Sequence, residues 1–230
     1  MKSFLQKFFQ EERALLLLSI LASGLVFFRI FYWQEGGEAF NYDLRTSPRL
    51  RFLFLCWNLL LAWIPLGLVY LLPYFPRKRW LQGGILTVWL LFFPNAPYLM
   101  TDLIHLRLRA GIPLWFDALL LFTFAYLGLV LGIRALEGVR SYLREHYSRS
   151  WATGFTLATL FLSGLGIYLG RVLRWNSWDA LLHPRGPILD TLALVHSPFQ
   201  NGEAWLMILF FTLVFSAIYW SQHGQFRNAP

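Results

Sequence analysis

The sequence has 230 residues, of which 57% are hydrophobic and 14% are charged, and its mean hydropathy is +0.49. Because an ordinary soluble domain carries roughly 25% charged residues, this composition excludes a water-soluble globular fold of the same length. The formal net charge of +8 does not indicate nucleic-acid binding, since the basic residues form short clusters between apolar runs, as topology signals do. We therefore expect an integral membrane protein whose main partner is the lipid bilayer.

The apolar runs predict an all-α fold, a polytopic transmembrane helix bundle of about six spans in a single domain over residues 1–230. A membrane-crossing helix needs about 20 mostly apolar residues. The predicted spans cover residues 14–33, 52–72, 80–101, 114–133, 151–170 and 204–222. In the first span, we expect Arg29 to extend its charged end to the membrane surface. The segment 187–199 is semi-apolar but contains polar residues and prolines, which favours a surface-lying or re-entrant segment over a seventh span.

The distribution of Lys and Arg predicts the orientation. The side of the membrane that holds both termini carries eleven of these residues, and the other side carries eight. Since cytoplasmic loops are enriched in Lys and Arg, this bias predicts that both termini are cytoplasmic. The compact turn Arg77-Lys78-Arg79 is the strongest single indication of this orientation. The oligomeric state does not follow from the sequence.

The third span contains two prolines, Pro94 and Pro97, on either side of Asn95. Proline removes a backbone donor and restricts the residue before it, so we expect this span to be broken at Pro94/Pro97. At membrane depth, the freed carbonyl groups need partners from the protein or from a watery cavity. The Asn95 side chain is suited to this role. An ordinary proline kink is the alternative.

Glycines in two later spans predict close helix packing. Gly128 and Gly132 are four residues apart in the fourth span. In the fifth span, Gly154, Gly166 and Gly170 lie on one stripe with Ala158. Small residues let helix backbones approach closely in lipid.

Three polar side chains at span ends are candidates for binding or chemistry. Arg171 and Arg174 lie one turn apart at the end of the fifth span, where two guanidinium groups on one helical face would hold a phosphate or carboxylate. An aromatic and cationic interface belt with Trp175 and Trp178 is the alternative. Asp117 opens the fourth span. An acid there is either a helix cap or a functional group, and we expect it to have a partner because it borders lipid.

Two Asp/His pairs have helical spacing. Asp102 and His105 are spaced i, i+3, and Asp179 and His183 are spaced i, i+4, so each pair lies on one helical face. Such pairs supply a general acid or base with an orienting acid, or ligands for a divalent metal, for which Asp102, His105 and His183 are the first candidates. Capping and hydrogen-bonding pairs are the alternative. The sequence has no HExxH, P-loop or GxSxG motif that would decide between them.

Three strings resemble a bacterial family filed as domain of unknown function 1361. They are Trp57-Asn58-Leu59-Leu60-Leu61-Ala62-Trp63-Ile64-Pro65, Phe93-Pro94-Asn95-Ala96-Pro97-Tyr98 with the following residues to Leu106, and Gly170-Arg171 continuing to Arg174-Trp175-Asn176-Ser177-Trp178-Asp179. The resemblance implies a multi-pass protein of the bacterial inner membrane without an agreed activity, and it brings no residue with an established role. It also places Asn58 with the polar set, where an interhelical hydrogen bond is the alternative.

Together, these residues predict a polar site at the outer face of the membrane. The candidate catalytic residues are Asp102, His105, Asp117 and Asp179. The candidate ligand-binding residues are Asn58, Asn95, Tyr98, Arg171, Arg174, Trp175 and Asn176. Three hypotheses stay open: binding of an anionic or phosphate-bearing lipid, with or without hydrolase-type chemistry; a small-solute transporter or channel that uses the broken third span; and a non-catalytic assembly subunit.

Overall fold

The computed structural model describes residues 2–32, 52–76, 78–109 and 111–227, except for the side chains of 2–5, 79 and 223–227. Trp33, which ends the first predicted span, lies outside the described residues. So do four of the arginines counted for the orientation, Arg45, Arg49, Arg51 and Arg77. The helices are α1 (Lys2–Glu11), α2 (Arg13–Tyr32), α3 (Leu53–Leu71), α4 (Arg79–Phe92), α5 (Asn95–Tyr98), α6 (Leu114–His146), α7 (Arg149–Arg171), α8 (Ser177–Leu182), α9 (Arg185–His196) and α10 (Gly202–Arg227). Two 3₁₀ segments follow α3 and α5, at Leu72–Tyr74 and Leu99–His105.

Among the described residues, six helical segments are long and apolar enough to cross a membrane. They are Arg13–Tyr32, Leu53–Tyr74, Trp80–His105, Leu114–His146, Arg149–Arg171 and Gly202–Gln222. The predicted all-α bundle of six spans is confirmed, and the chain is a multi-pass membrane protein by the length and composition of these helices.

The fourth span extends well beyond its predicted end at residue 133. Its helix, α6, has 33 residues, which is about 50 Å at 1.5 Å per residue, against about 30 Å of hydrocarbon. Charged residues ended the uncharged run in the sequence, but the helix continues through them because they find partners. Tyr219 of α10 donates to Glu137 at 2.7 Å and accepts from Arg140 at 3.2 Å.

The core of the bundle is organised around α6, which packs against α2, α3, α7 and the broken third span. Its inward face is apolar and buried at Leu120, Phe124, Leu127 and Leu131. Because α6 contacts both halves of the chain, it holds the third span in position.

The third span is broken, as predicted. The helix α4 ends at Phe92, and the chain continues through the short helix α5 into the 3₁₀ segment. Asn95 Nδ2 donates to the carbonyl oxygen of Phe92 at 2.8 Å, which confirms the predicted role of this side chain. It also donates to Ser177 Oγ at 2.8 Å, so the break is tied to α8.

Two of the predicted packing glycines make room for the broken segment. A Cβ atom added at Gly128 would lie 2.7 Å from Leu99 Cβ, and one at Gly166 would lie 2.6 Å from Pro94 Cγ. Real Cβ atoms do not approach other atoms this closely, so these positions require glycine.

The predicted stripe on α7 is only partly a contact surface. An added Cβ at Gly170 would lie 3.2 Å from the Tyr98 ring, whereas one at Gly154 would have no described atom within 4 Å. Gly164, which is off the stripe, packs against α10 at Ile208 and Thr212. The stripe therefore contacts the break only near the end of α7.

A matched pair of substitutions tests the seating of the break. Gly128→Ala is expected to destabilise the protein by about 1–3 kcal/mol, because the added methyl group overpacks the interface with Leu99. Gly154→Ala is the control, since it meets open space and improves helix propensity by about 1 kcal/mol. Thermal unfolding of both variants in detergent micelles measures the difference. Equal unfolding midpoints would contradict the packing role of Gly128.

Candidate functional site

A group of polar side chains surrounds Arg171 at the end of α7, and we call it the Arg171 cluster. Its members are Asn58, Tyr98, Thr101, Asp102, His105 and Arg171. The 3₁₀ segment Leu99–His105 contributes three of the six, Thr101, Asp102 and His105. Residues three apart eclipse each other in a 3₁₀ helix. This geometry places Asp102 and His105 on the same side, facing Arg171.

The carboxylate of Asp102 is fully buried and occupied on both oxygens. Arg171 Nη2 donates to Oδ1, and Asn58 Nδ2 donates to Oδ2 at 3.2 Å. Asn58 therefore joins the polar set, as the family resemblance implied, and it does so through an interhelical hydrogen bond. A buried carboxylate needs such partners because its desolvation is otherwise very costly.

The guanidinium group of Arg171 is fixed on most of its edges. Nε donates to Thr101 Oγ1 at 2.9 Å, Nη2 donates to Thr101 and Asp102, and the group lies 4.3 Å from the centre of the Tyr98 ring. Nη1 lies 3.4 Å from His105 Nε2. The Arg171 side chain is 18% exposed, so it is largely but not fully buried.

A second ionic group stands beside the cluster. Asp117 accepts from Arg29 Nε at 2.8 Å and from Arg109 Nη1 at 2.7 Å. The side chains of Arg29 and Asp117 are each only 1% exposed. The expectation that Arg29 extends to the membrane surface is wrong, because pairing with Asp117 and stacking on Phe52, at 4.3 Å, compensate the buried charge.

Arg109 joins the two groups. Besides its ion pair with Asp117, its Nη2 donates to the backbone oxygen of His105 at 3.0 Å. The His105 ring packs against Phe54, with ring centres 4.9 Å apart. Three arginines and two aspartates meet across these two groups.

An apolar cavity of about 270 Å³ lies next to the Arg171 cluster, between α3, the broken third span, α7 and α8. Asn58 and Tyr98 line it and also belong to the cluster. Of the other predicted ligand-binding residues, Asn95, Trp175 and Asn176 line it too. The cavity therefore has mostly apolar walls and shares Asn58 and Tyr98 with the cluster, whereas Asp102 and Arg171 are not among its lining residues.

The structure does not bring Arg174 to Arg171. The helix α7 ends at Arg171, and Arg174 is exposed with a φ of 63°, so the two guanidinium groups do not share a helical face. The predicted clamp of two arginines is therefore wrong. The left-handed residue instead turns the chain so that Trp175 N donates to the Leu169 oxygen at 3.0 Å.

The remaining predicted residues serve the α8–α9 segment. The Asp179 carboxylate accepts from the backbone nitrogen of Asn176 at 2.7 Å and from its side chain at 3.0 Å, which caps α8. His183 is exposed at the end of α8. Trp175 Nε1 donates to Asp190 of α9 at 2.7 Å. Within the described residues, no group of three or more His, Cys, Asp or Glu side chains is arranged to hold a metal.

Sequence reasoning missed four residues of the site: Thr101, Arg109, Phe54 and Ser177. Thr101 stands beside the singled-out Asp102, but its spacing to Arg171 carries no periodic signal. Arg109 reaches Asp117 across a loop. Contacts of this kind depend on how the elements meet, so a pattern within one helix does not reveal them.

A larger cavity, of about 580 Å³, lies at the other end of the bundle between α1, α3 and α6. Its buried acid, Glu12, accepts from Arg134 and from Tyr70, at 2.5 and 2.8 Å. Glu12 lies between α1 and α2, so these bonds connect that bend to α3 and α6, which gives the group a structural role.

A sequence model of the family described as "Protein of unknown function (DUF1361)" matches residues 57–218. The chain belongs to this family. The matched segment contains the whole Arg171 cluster and the cavity lining, whereas Arg29, Phe52 and Phe54 precede it. Searches of curated proteins and of solved structures returned no match.

Removal of the Asp117 charge tests the second ionic group. We expect Asp117→Asn to destabilise the protein by about 3–5 kcal/mol, because it removes the carboxylate charge that pairs with the buried Arg29 and with Arg109. Thermal unfolding in detergent measures the loss. Lys7→Gln breaks the exposed pair with Glu11 and should change stability by less than about 1 kcal/mol. Equal effects of the two substitutions would contradict the role given to Asp117.

Proposed function

We propose that this protein binds a membrane lipid with a phosphate-bearing headgroup, and that the Arg171 cluster and the adjoining cavity form one binding site. The observation that carries the proposal is that Asn58 and Tyr98 belong both to the cavity lining and to the Arg171 cluster. Both side chains line the apolar cavity, and both contact the charged pair of Asp102 and Arg171. A molecule that fits both parts of this site has an apolar chain and a polar head.

The cavity supports binding of an apolar chain. Its walls are mostly aliphatic and aromatic, with leucines from α3, α4 and α7. Its volume of about 270 Å³ is just below the roughly 300–1,000 Å³ of small-molecule sites, so it suits part of an acyl chain better than a whole lipid. Burial of apolar surface contributes roughly 25 cal/mol for each Å².

The charge distribution supports an anionic head. Among the described residues, Nη1 of Arg171 has no carboxylate partner and lies 3.4 Å from the His105 ring, so its N–H groups are suited to donate to an anion. Guanidinium groups match the geometry of phosphate oxygens well. Orientation by the Lys/Arg bias would place this site at the outer face of a bacterial inner membrane.

Binding is favoured over hydrolysis by the hydrogen bonds already present. Both oxygens of Asp102 accept from protein donors. The Thr101 hydroxyl donates to the backbone carbonyl oxygen of Tyr98 at 2.6 Å and accepts from Arg171. Both side chains are also buried and neither lines the cavity, so neither is presented there as a nucleophile or a base. The His105 ring is different, because its polar contact among the described residues is a single one, between Nε2 and Arg171 Nη1 at 3.4 Å.

A cavity-filling substitution tests the tail site. Leu162 lines the cavity, and Leu162→Trp would occupy the space of the acyl chain. We expect the purified variant to lose bound phosphatidylglycerol, as measured by native mass spectrometry. Leu213→Trp, on the exposed face of α10, is the control and should retain lipid. Full lipid retention in Leu162→Trp, with a correctly folded protein, would rule out this cavity as the tail site.

A second pair of substitutions tests the head site. Arg171→Gln should weaken phosphatidylglycerol binding by about tenfold or more, since a charge-assisted hydrogen bond contributes about 1.5–3 kcal/mol. Binding of diacylglycerol with the same acyl chains should change little, because it lacks the phosphate. The exposed Arg174→Gln is the matched control. If both glutamine variants bind phosphatidylglycerol equally, Arg171 does not hold the headgroup.

A further inference from the structure

The helix α9 lies between the fifth and sixth spans, and its exposed face is apolar. Ile188, Leu192 and Val195 are each between 53% and 60% exposed, and Phe199 just beyond the helix is fully exposed. Ile188, Leu192 and Val195 follow a spacing of four and three, which places them on one face of the helix. Such a face is unfavourable in water, so it needs an apolar environment.

The opposite face of α9 is packed against the protein. Pro187 and Leu194 are buried, and Leu194 contacts Ala204 and Ile208 of α10. Asp190, the acidic residue of the helix, points away from the exposed face and accepts from Trp175 Nε1 at 2.7 Å. Arg185 and His196, at the two ends of the helix, are exposed. The exposed face thus has an apolar middle and polar ends.

The apolar face of α9 continues the lipid-facing surface of α10. Trp205 Nε1 of α10 donates to the Leu194 oxygen of α9 at 3.2 Å, which joins the two helices. On α10, Leu206, Phe210 and Leu213 are between 65% and 70% exposed, as expected for side chains in contact with lipid. With 12 residues, α9 is about 18 Å long and does not cross a membrane.

We infer that α9 lies within the membrane leaflet at the Arg171 end of the bundle, with its apolar face in the acyl chains, and that the cavity beneath it opens sideways into that leaflet. Amphipathic helices at interfaces bury such faces about 5–10 Å into the boundary between headgroups and acyl chains. The terminal Arg185 and His196 reach the headgroups from this depth.

Two observations connect α9 to the cavity entrance. Pro187 of α9 and Ala180 of α8 both line the cavity, so the α8–α9 segment forms part of its wall. Trp57 also lines the cavity and is 53% exposed in a membrane-spanning helix, with its ring edge against Trp178, at 6.1 Å. The cavity wall therefore reaches the lipid beside Trp57. This second half of the inference rests on the proposed function: a lipid would enter from its own leaflet.

Spin labels in proteoliposomes of phosphatidylethanolamine and phosphatidylglycerol test the inference. The single native cysteine is replaced by Cys56→Ala, and cysteines are introduced one at a time at Ile188, Leu192 and Val195. Labels within the leaflet collide with oxygen more often than with a water-soluble nickel chelate. Leu213→Cys provides the lipid reference and Lys78→Cys the aqueous reference.

We expect oxygen collisions to dominate at all three α9 labels, as at the Leu213 reference, but by a smaller margin because α9 lies nearer the headgroups. Nickel collisions at the level of the Lys78 reference would overturn the inference, because the face would then be in water. Immobilised labels that neither reagent reaches would also overturn it, since a second protein surface would then cover the face. An unaltered helix content in each variant, checked by circular dichroism, shows that the introduced cysteine and label have not unfolded the protein.

The same measurement at Trp57→Cys tests the entrance. Oxygen-dominated collisions support lateral access, and nickel-dominated collisions overturn it. Because these measurements need no bound ligand, they are independent of the lipid-retention experiments. Loss of the proposed function with α9 in the leaflet, or retention of lipid with α9 in water, would be recognised as separate failures.

Discussion

A backbone that leaves helical geometry inside a membrane must have its polar groups satisfied by the protein, because hydrocarbon offers no hydrogen bonds. This constraint acts on the third span between Phe92 and Leu106. Asn95 satisfies one of these groups by donating to the backbone oxygen of Phe92. Gly128 and Gly166 let α6 and α7 pack closely against the irregular segment. The rest of the structure depends on this arrangement, since the break opens the cavity and directs the 3₁₀ segment towards Arg171.

Charge burial imposes a second condition on the same end of the bundle. Asp102 and Asp117 are both removed from solvent, and each is held by arginines from other elements. Such pairs add little net stability, because desolvation offsets most of the Coulomb attraction, but a missing partner is very costly. They therefore fix the geometry of the elements they join. The contact from Arg109 to the His105 backbone extends this rigidity to the Arg171 cluster.

The two parts of the proposed site differ in how strictly they select a ligand. The cavity recognises an apolar chain through surface area, which is not directional, whereas the Arg171 cluster holds its donors in one orientation. A lipid site of this kind selects its ligand mainly by the headgroup. The interfacial helix α9 adds a physical reason for a membrane source, since its apolar face places this part of the cavity wall at the depth of lipid headgroups.

The sequence by itself determined the class of protein, the six spans and the position of the break, because hydropathy, proline and the length of a helix act locally along the chain. It also identified Asp102, His105 and Arg171 as candidates, since polar residues stand out in apolar surroundings. Only the tertiary structure decided that Arg171 and not Arg174 joins Asp102, that Arg29 is buried against Asp117, and that Thr101 and Arg109 take part. The physical reason is that these contacts link different helices, whose rotation and depth are set by packing around α6 and by glycines such as Gly128.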